Sequence, residues 1–233
     1  MGNAHLVRDV RRQVSFRLVV FDLDGTLIDS IGDLTRAVNR LVGELGGRSL
    51  GLDEVSAMVG EGAALLVHRA LGASGVDTDA ARALPRFLEI YDAILPGETR
   101  PYPGIPEALA ALAPHAMLAV LTNKPTAAAV KLLETLDLSR FFPLVVGGDG
   151  PFRRKPHPDG LRHLIAASAA SPEEAVLVGD SMVDLQTARA AGVTTCVARY
   201  GFGQAVFSAS ALRGDELLAD SPADLPRVLL RVN

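Results

Sequence analysis

Five short, nearly uninterrupted apolar runs punctuate the chain: Leu18–Phe21, Met117–Leu121, Leu144–Val146, Ala175–Val178 and Val193–Val197. Runs of this length without polar alternation suit strands covered on both faces, so they predict the parallel sheet of an α/β fold. Helix signals lie between them. Ser171-Pro172-Glu173-Glu174 has a cap residue, a proline at the first helical position and a glutamate placed to close a capping box, which predicts a short helical turn before the next strand.

The interval between the first and second runs is too long for one crossover helix. From residue 30 to residue 95 apolar residues recur at spacings of three and four, the period of several helices. We therefore expect an inserted helical cap at 30–96, an α/β core formed by 16–29 and 97–233, and an N-terminal tail at 1–15 carrying Arg8, Arg11 and Arg12. Asp29-Ser30 marks the exit from the core, and Pro96-Gly97 with Pro101-Tyr102-Pro103-Gly104 marks the return. Side by side, these connections would form a hinge. The expected architecture is a three-layer, Rossmann-like parallel-sheet core with an inserted cap.

Composition narrows the function classes. A chain of 233 residues has room for a core and an insertion, and 48% apolar with 21% charged residues is a globular balance. A net charge of −4 gives no sign of a nucleic-acid or anionic-membrane binder, while leaving room for a local cationic pocket. Cys196 is the only cysteine, which excludes an intramolecular disulfide or a cysteine zinc cluster and reads as a buried core thiol. Residues 1–13 lack the apolar stretch of a signal peptide and no run reaches membrane-spanning length, so a cytoplasmic monomer or homodimer is expected.

Chemistry gathers where the apolar runs end. Asp22-Leu23-Asp24-Gly25-Thr26 directly follows the first run, placing two carboxylates at the carboxyl end of a buried strand, where open α/β sheets bind ligands. One carboxylate can attack phosphorus to give an acyl phosphate, and its neighbour can act as general acid and then base. Gly25 would admit a phosphate close to the backbone, and Thr26 adds a hydroxyl. Thr122-Asn123-Lys124 ends the second run, Lys155 lies in Arg154-Lys155-Pro156-His157-Pro158 after the third, and Gly179-Asp180-Ser181-Met182-Val183-Asp184 ends the fourth. Asp180 and Asp184, with Asp22, offer the hard oxygen ligands preferred by Mg²⁺.

This ordered set resembles the haloacid dehalogenase superfamily from about Leu18 onward. The resemblance implies a Mg²⁺-dependent phosphomonoester hydrolase with Asp22 as nucleophile, Asp24 as acid and base, and Thr122 and Lys155 on the phosphate. It also implies metal held by the Asp22 side chain, the Asp24 carbonyl and Asp180, with Asp184 in support. The helical insertion, Thr122-Asn123-Lys124-Pro125, the Lys155-Pro156 segment, Val59-Gly60-Glu61-Gly62 and Tyr200-Gly201-Phe202-Gly203 resemble the phosphoglycolate phosphatase group in particular. A small phosphorylated metabolite, 2-phosphoglycolate, is then the expected substrate, with Gly25, Thr26, Asn123, Lys124, Gly60, Glu61 and Gly62 at its binding site. Glu61 departs from the neutral amide more usual in that group, and its charge would repel a substrate carboxylate unless it faced solvent or paired with a cation such as Arg69.

Rival readings are a sugar-phosphate phosphatase or phosphomutase of the same fold and, from another class, a receiver-like phosphoaspartate signalling module. A receiver needs neither a large insertion nor an acid at position 24. A phosphonatase would use a cap lysine, and residues 30–95 contain none.

Overall fold

The computed structural model describes residues 16–202 and 211–230. Six strands form one sheet in the order β5-β4-β1-β6-β7-β8, with every neighbouring pair parallel. They are β1 (Leu18–Phe21), β4 (Met117–Leu121), β5 (Leu144–Val146), β6 (Ala175–Gly179), β7 (Thr194–Ala198) and β8 (Leu217–Ala219). The first five coincide with the apolar runs. Strand β8 is a sixth strand beyond the five runs singled out in the sequence.

Alternation along β1 divides the core between two faces of the sheet. Val19 and Phe21 pack into one apolar cluster with residues of α5 (Ile105–Leu112), α6 (Thr126–Thr135) and α9 (Leu225–Leu230). Leu18 and Val20 face the other, with Leu161, Leu164 and Ile165 of α7 (Asp159–Ala167) and Ala188 of α8 (Met182–Ala191). Helices on both faces give the three layers. The predicted turn at Ser171 is a 3-10 turn over Pro172–Glu174, in which Glu174 Oε2 accepts from Ser171 N at 3.0 Å.

After β1 the chain runs through β2 (Ile28–Asp29) into four helices, α1 (Ile31–Glu44), α2 (Leu52–Ser56), α3 (Ala63–Ser74) and α4 (Ala80–Ile94), and returns through β3 (Arg100–Pro101). Leu34, Ala37, Val38, Leu41 and Val42 form the buried stripe of α1, and Ala83, Phe87, Ile90 and Tyr91 that of α4, each at helical spacing. The two crossovers lie side by side because β2 and β3 pair antiparallel, Ile28 opposite Pro101 and Asp29 opposite Arg100.

A fully buried carboxylate ties these crossovers together. Asp33, in the first turn of α1, accepts from the backbone N–H groups of Gly97, Glu98 and Thr99 at 2.8–3.0 Å and from the Thr99 hydroxyl at 2.6 Å. Burial opposes its ionisation, but these donors prevail and hold the carboxyl below its usual range.

Candidate active site

The chain leaves β1 toward β4 on one side, and β6 leads to β7 on the other, so the order reverses beside β1 and opens a crevice at the carboxyl ends of β1 and β6. Asp22 stands at this point with its backbone N–H bonded to Val178 O at 2.9 Å. The next residues turn sharply, with Leu27 N bonded to Leu23 O at 2.9 Å. Gly25 is required there: its φ is +87° and a Cβ would sit 2.3 Å from Asp180 Oδ2. Gly201 backs the same turn so closely that a Cβ would meet Gly25 O at 2.1 Å. Tyr200 OH donates to Thr26 O at 3.0 Å, so this late segment braces the turn; Gly203, grouped with it in the sequence, lies outside the described residues.

Two buried lysines organise the carboxylates. Lys155 Nζ lies 2.8 Å from Asp22 Oδ1 and 2.6 Å from Asp184 Oδ1. Burial pushes the Asp22 carboxyl up to about 6, with Lys155 opposing and the charge of Asp184 adding to that rise. The same two acids hold the Lys155 ammonium well above the ordinary lysine range against the cost of its burial. Asp184 Oδ2 accepts from Ser181 N at 3.1 Å and from Ser181 Oγ at 2.6 Å, which fixes the start of α8. Thr26 Oγ1 donates to Asp180 Oδ1 at 3.3 Å.

Lys124 Nζ lies 3.0 Å from each oxygen of Asp24 and donates to Tyr91 OH at 2.7 Å. Ser30 Oγ donates to Asp24 Oδ1 at 2.6 Å. Asn123 Nδ2 bridges Gly60 O and Lys155 O, both at 3.0 Å, and its buried Oδ1 has no partner among the described residues. Thr122, buried, accepts from Lys124 N through Oγ1 at 3.2 Å.

These groups open on a cleft of about 530 Å³, measured out to bulk solvent, between strand ends and helical insertion. Asp22, Asp24, Thr122, Asn123 and Lys124 form its polar side; Leu34, Val59, Leu66, Phe87, Leu88 and Tyr91 face them. Gly60 and Gly62 also line it, whereas Glu61 lines a neighbouring cleft with Asp180 and pairs with Arg69. Arg36 sits near Asp33 and Glu98, His68 is exposed, and neither side chain lines the cleft.

Asp22, Asp180 and Asp184 are all buried, and each brings a carboxylate oxygen within 4.8 Å of the other two. Three hard, anionic oxygens so close together match the ligands Mg²⁺ takes, and the set fits a divalent cation. The sequence had not singled out Tyr91 or the Ser30 hydroxyl. Tyr91 lies four residues after Phe87, whose ring stacks on its own, so in sequence it reads as one more buried aromatic.

A family model described as haloacid dehalogenase-like hydrolase matches residues 19–198. Phosphoglycolate phosphatase 1 of Pseudomonas aeruginosa is 40% identical over 194 residues, covering 80% of this chain and 70% of that protein. A plasmid-encoded phosphoglycolate phosphatase of Cupriavidus necator is 37% identical over 214 residues, covering 91% and 92%. A crystal structure of a predicted phosphoglycolate phosphatase from Haemophilus somnus 129pt aligns with a TM-score of 0.84 at 29% identity, over 91% of this chain and 97% of that one. CbbY from Rhodobacter sphaeroides, solved in complex with phosphate, aligns at 0.78 and 25% identity, over 93% and 100%.

Proposed function

The chain belongs to the haloacid dehalogenase-like hydrolase family as a phosphatase, and from that premise we propose that it hydrolyses 2-phosphoglycolate to glycolate and phosphate through a phosphorylated Asp22. The observation that carries this reading is the position of Asp22, buried at the sheet's reversal point against Lys155 and opening on the cleft with Asp24 beside it. The division of labour assigns 16–29 and 97–233 to a catalytic core and 30–96 to a cap.

In the first step an Asp22 carboxylate oxygen attacks phosphorus, the ester P–O bond breaks, and Asp24 gives a proton to the departing glycolate oxygen. In the second, Asp24 takes a proton from water as that water attacks phosphorus, and cleavage of the bond to Asp22 releases phosphate. Lys155 offsets phosphoryl charge, and Thr122, with the turn at Gly25 and Thr26, orients the phosphoryl oxygens. Mg²⁺ held by Asp22, the Asp24 carbonyl and Asp180, with Asp184 behind them, would supply further charge neutralisation. The cap side of the cleft excludes water with apolar side chains.

The substrate carboxylate has a berth in the Gly60–Gly62 loop. There the twelve-residue helix α3 opens on the cleft with Gly62 at its N-cap and no side-chain cap bond, so its first backbone N–H groups and positive dipole end face the substrate space. Pairing with Arg69 draws Glu61 away from that role. The test is kcat/KM of purified protein in Mg²⁺ across small phosphomonoesters: 2-phosphoglycolate should lead, and a preference for sugar phosphates would replace it as substrate.

A further inference from the structure

We propose that Tyr91, a residue of the cap, is a positioning residue for the proton donor of the core: by accepting a hydrogen bond from Lys124, its hydroxyl fixes the ammonium that grips Asp24. This inference rests on the proposed role of Asp24 and adds to it how the cap completes the acid.

An ammonium has three N–H donors. Lys124 Nζ has three oxygens in reach: Asp24 Oδ1 and Oδ2 at 3.0 Å each, close enough together to share one N–H, and Tyr91 OH at 2.7 Å, which accepts another. Lys124 is buried, with its nitrogen 4.6 Å from the centre of the Tyr91 ring, so the same side chain supplies an acceptor and a π-face to a charge largely shielded from water. Burial lowers the affinity of Lys124 for its proton, but Asp24 and Tyr91 more than restore it and the group stays charged. Lys124 thus serves as a strut between Asp24 and the cap.

Tyr91 is well held for this task. Its ring stacks on Phe87 one helical turn earlier, with centroids 5.8 Å apart and planes at 10°, and both residues line the cleft. Asp24 is then held by the crossover through Ser30 at 2.6 Å and by the core through Lys124, which also donates to Tyr91 of the cap. The acid is fully braced only when α4 sits against the core. A cap that opens on substrate exchange would release the Tyr91 contact, and its return would restore the strut before proton transfer.

The plain alternative is that Tyr91 only satisfies a buried lysine and shapes the cleft. Aryl phosphates without a carboxylate, graded in the acidity of the departing phenol, separate the two, because kcat/KM reports the step in which the phenol leaves. Wild type, Tyr91→Phe and Asp24→Asn would be assayed with Mg²⁺, and thermal melts would establish that the variants are folded. Tyr91→Phe keeps the ring and its stacking. A disoriented proton donor matters least for p-nitrophenol and most for the least acidic phenol, so the dependence on leaving-group acidity should steepen in Tyr91→Phe, with a loss of roughly 10- to 100-fold at the poor end. Asp24→Asn should steepen it further. In a Lys124→Met background, Tyr91→Phe should add nothing.

An equal loss for every phenol would overturn the proposal and leave Tyr91 a cleft-shaping residue. So would a loss confined to 2-phosphoglycolate, which would make it a substrate contact. An unchanged dependence in Asp24→Asn would instead unseat Asp24 as the proton donor, a failure of the underlying mechanism. Steepening in Asp24→Asn without any in Tyr91→Phe would remove this inference alone.

Discussion

The two walls of the cleft are built from opposite materials. On the core side, Asp22, Asp24, Thr122, Asn123 and Lys124 crowd the strand ends, and Lys155, Asp180 and Asp184 stand close behind. The cap wall offers Leu34, Val59, Leu66, Phe87 and Leu88, with Tyr91 its one polar side chain among the described residues. Polar groups buried this densely are costly unless each is paired, and most here are paired with residues far away in sequence. On the proposed reading the core wall is a charged machine held in register by the sheet, while the cap wall controls water and shape. Substitutions on the two sides should then differ in kind: loss of the nucleophile or of the metal should cost every substrate alike, and changes in the Gly60–Gly62 loop should reorder substrates.

The largest effect should come from Asp22→Asn, which removes the attacking oxygen with little change in volume. Phosphate release should fall by at least roughly 10³-fold for 2-phosphoglycolate and p-nitrophenyl phosphate alike, with circular dichroism unchanged. Substantial turnover by a folded variant would break the mechanism. Chelation should act as uniformly: EDTA should abolish activity toward both substrates and Mg²⁺ restore it. Asp180→Ala should raise the Mg²⁺ concentration needed for half-maximal rate by roughly ten-fold or more, and an unchanged requirement would remove Asp180 from the ligand set.

The same contrast explains what could be read in advance. The five strands near the site were legible because buried parallel strands are continuous apolar runs, Asp22, Asp24, Asp180 and Asp184 because each lies in a short segment at a strand end, and Lys155 because it stands in the Arg154–Pro158 segment of the loop after β5. The bonds that arrange them were not. Lys124 meets Asp24 across 100 residues of sequence, Asn123 meets Gly60 across 63, and Asp33 meets Thr99 across 66. Local pattern carries no record of such pairings, because they exist only once the sheet and cap are assembled. Tyr91 and Asp33 are therefore ordinary in sequence, one a buried-stripe aromatic and the other a helix-start acid, and acquire their roles from packing.

Asp33 tests whether the crossovers form a joint separate from the chemistry. Asp33→Asn replaces a charged acceptor of four donors with a weaker neutral one, at an expected cost of about 2–3 kcal/mol in unfolding free energy. Because the folded-state carboxyl is held below its ordinary value, its contribution should be complete at neutral pH, above the unfolded-state pKa of about 3.9, and should disappear as pH falls through the depressed folded value. The stability gap between wild type and Asp33→Asn, measured by denaturant unfolding, should thus be widest near neutrality and narrow below about pH 4. A gap independent of pH would mean that the charge of Asp33 contributes nothing to the joint.

The most selective effects belong to the loop at Gly60–Gly62, and Glu61→Gln should give the smallest of all. Glu61 pairs with Arg69 while the glycines on either side of it line the cleft, so its charge stands beside the proposed carboxylate berth without entering it. Glu61→Gln removes a negative charge near that berth and also frees Arg69, and both changes favour an anion at the start of α3. An exposed pair of this kind contributes little to the fold, so stability should change slightly. The expected result is a drop of about two- to five-fold in KM for 2-phosphoglycolate, the size of a screened surface charge effect, with KM for p-nitrophenyl phosphate nearly unchanged because that substrate carries no carboxylate. Gly62→Ala probes the other side of the same idea. Its φ of +94° disfavours any residue with a Cβ, and that Cβ would lie 3.2 Å from Asn123 O, so the start of α3 must shift. Losing one hydrogen bond to a charged group there costs about 1.5–3 kcal/mol, which is roughly ten- to a hundred-fold in kcat/KM for 2-phosphoglycolate against a lesser loss for the aryl ester. Equal losses for the two substrates would show that the loop holds the cap against Asn123 and reads nothing of the substrate, and the carboxylate would then need a different partner on the core wall.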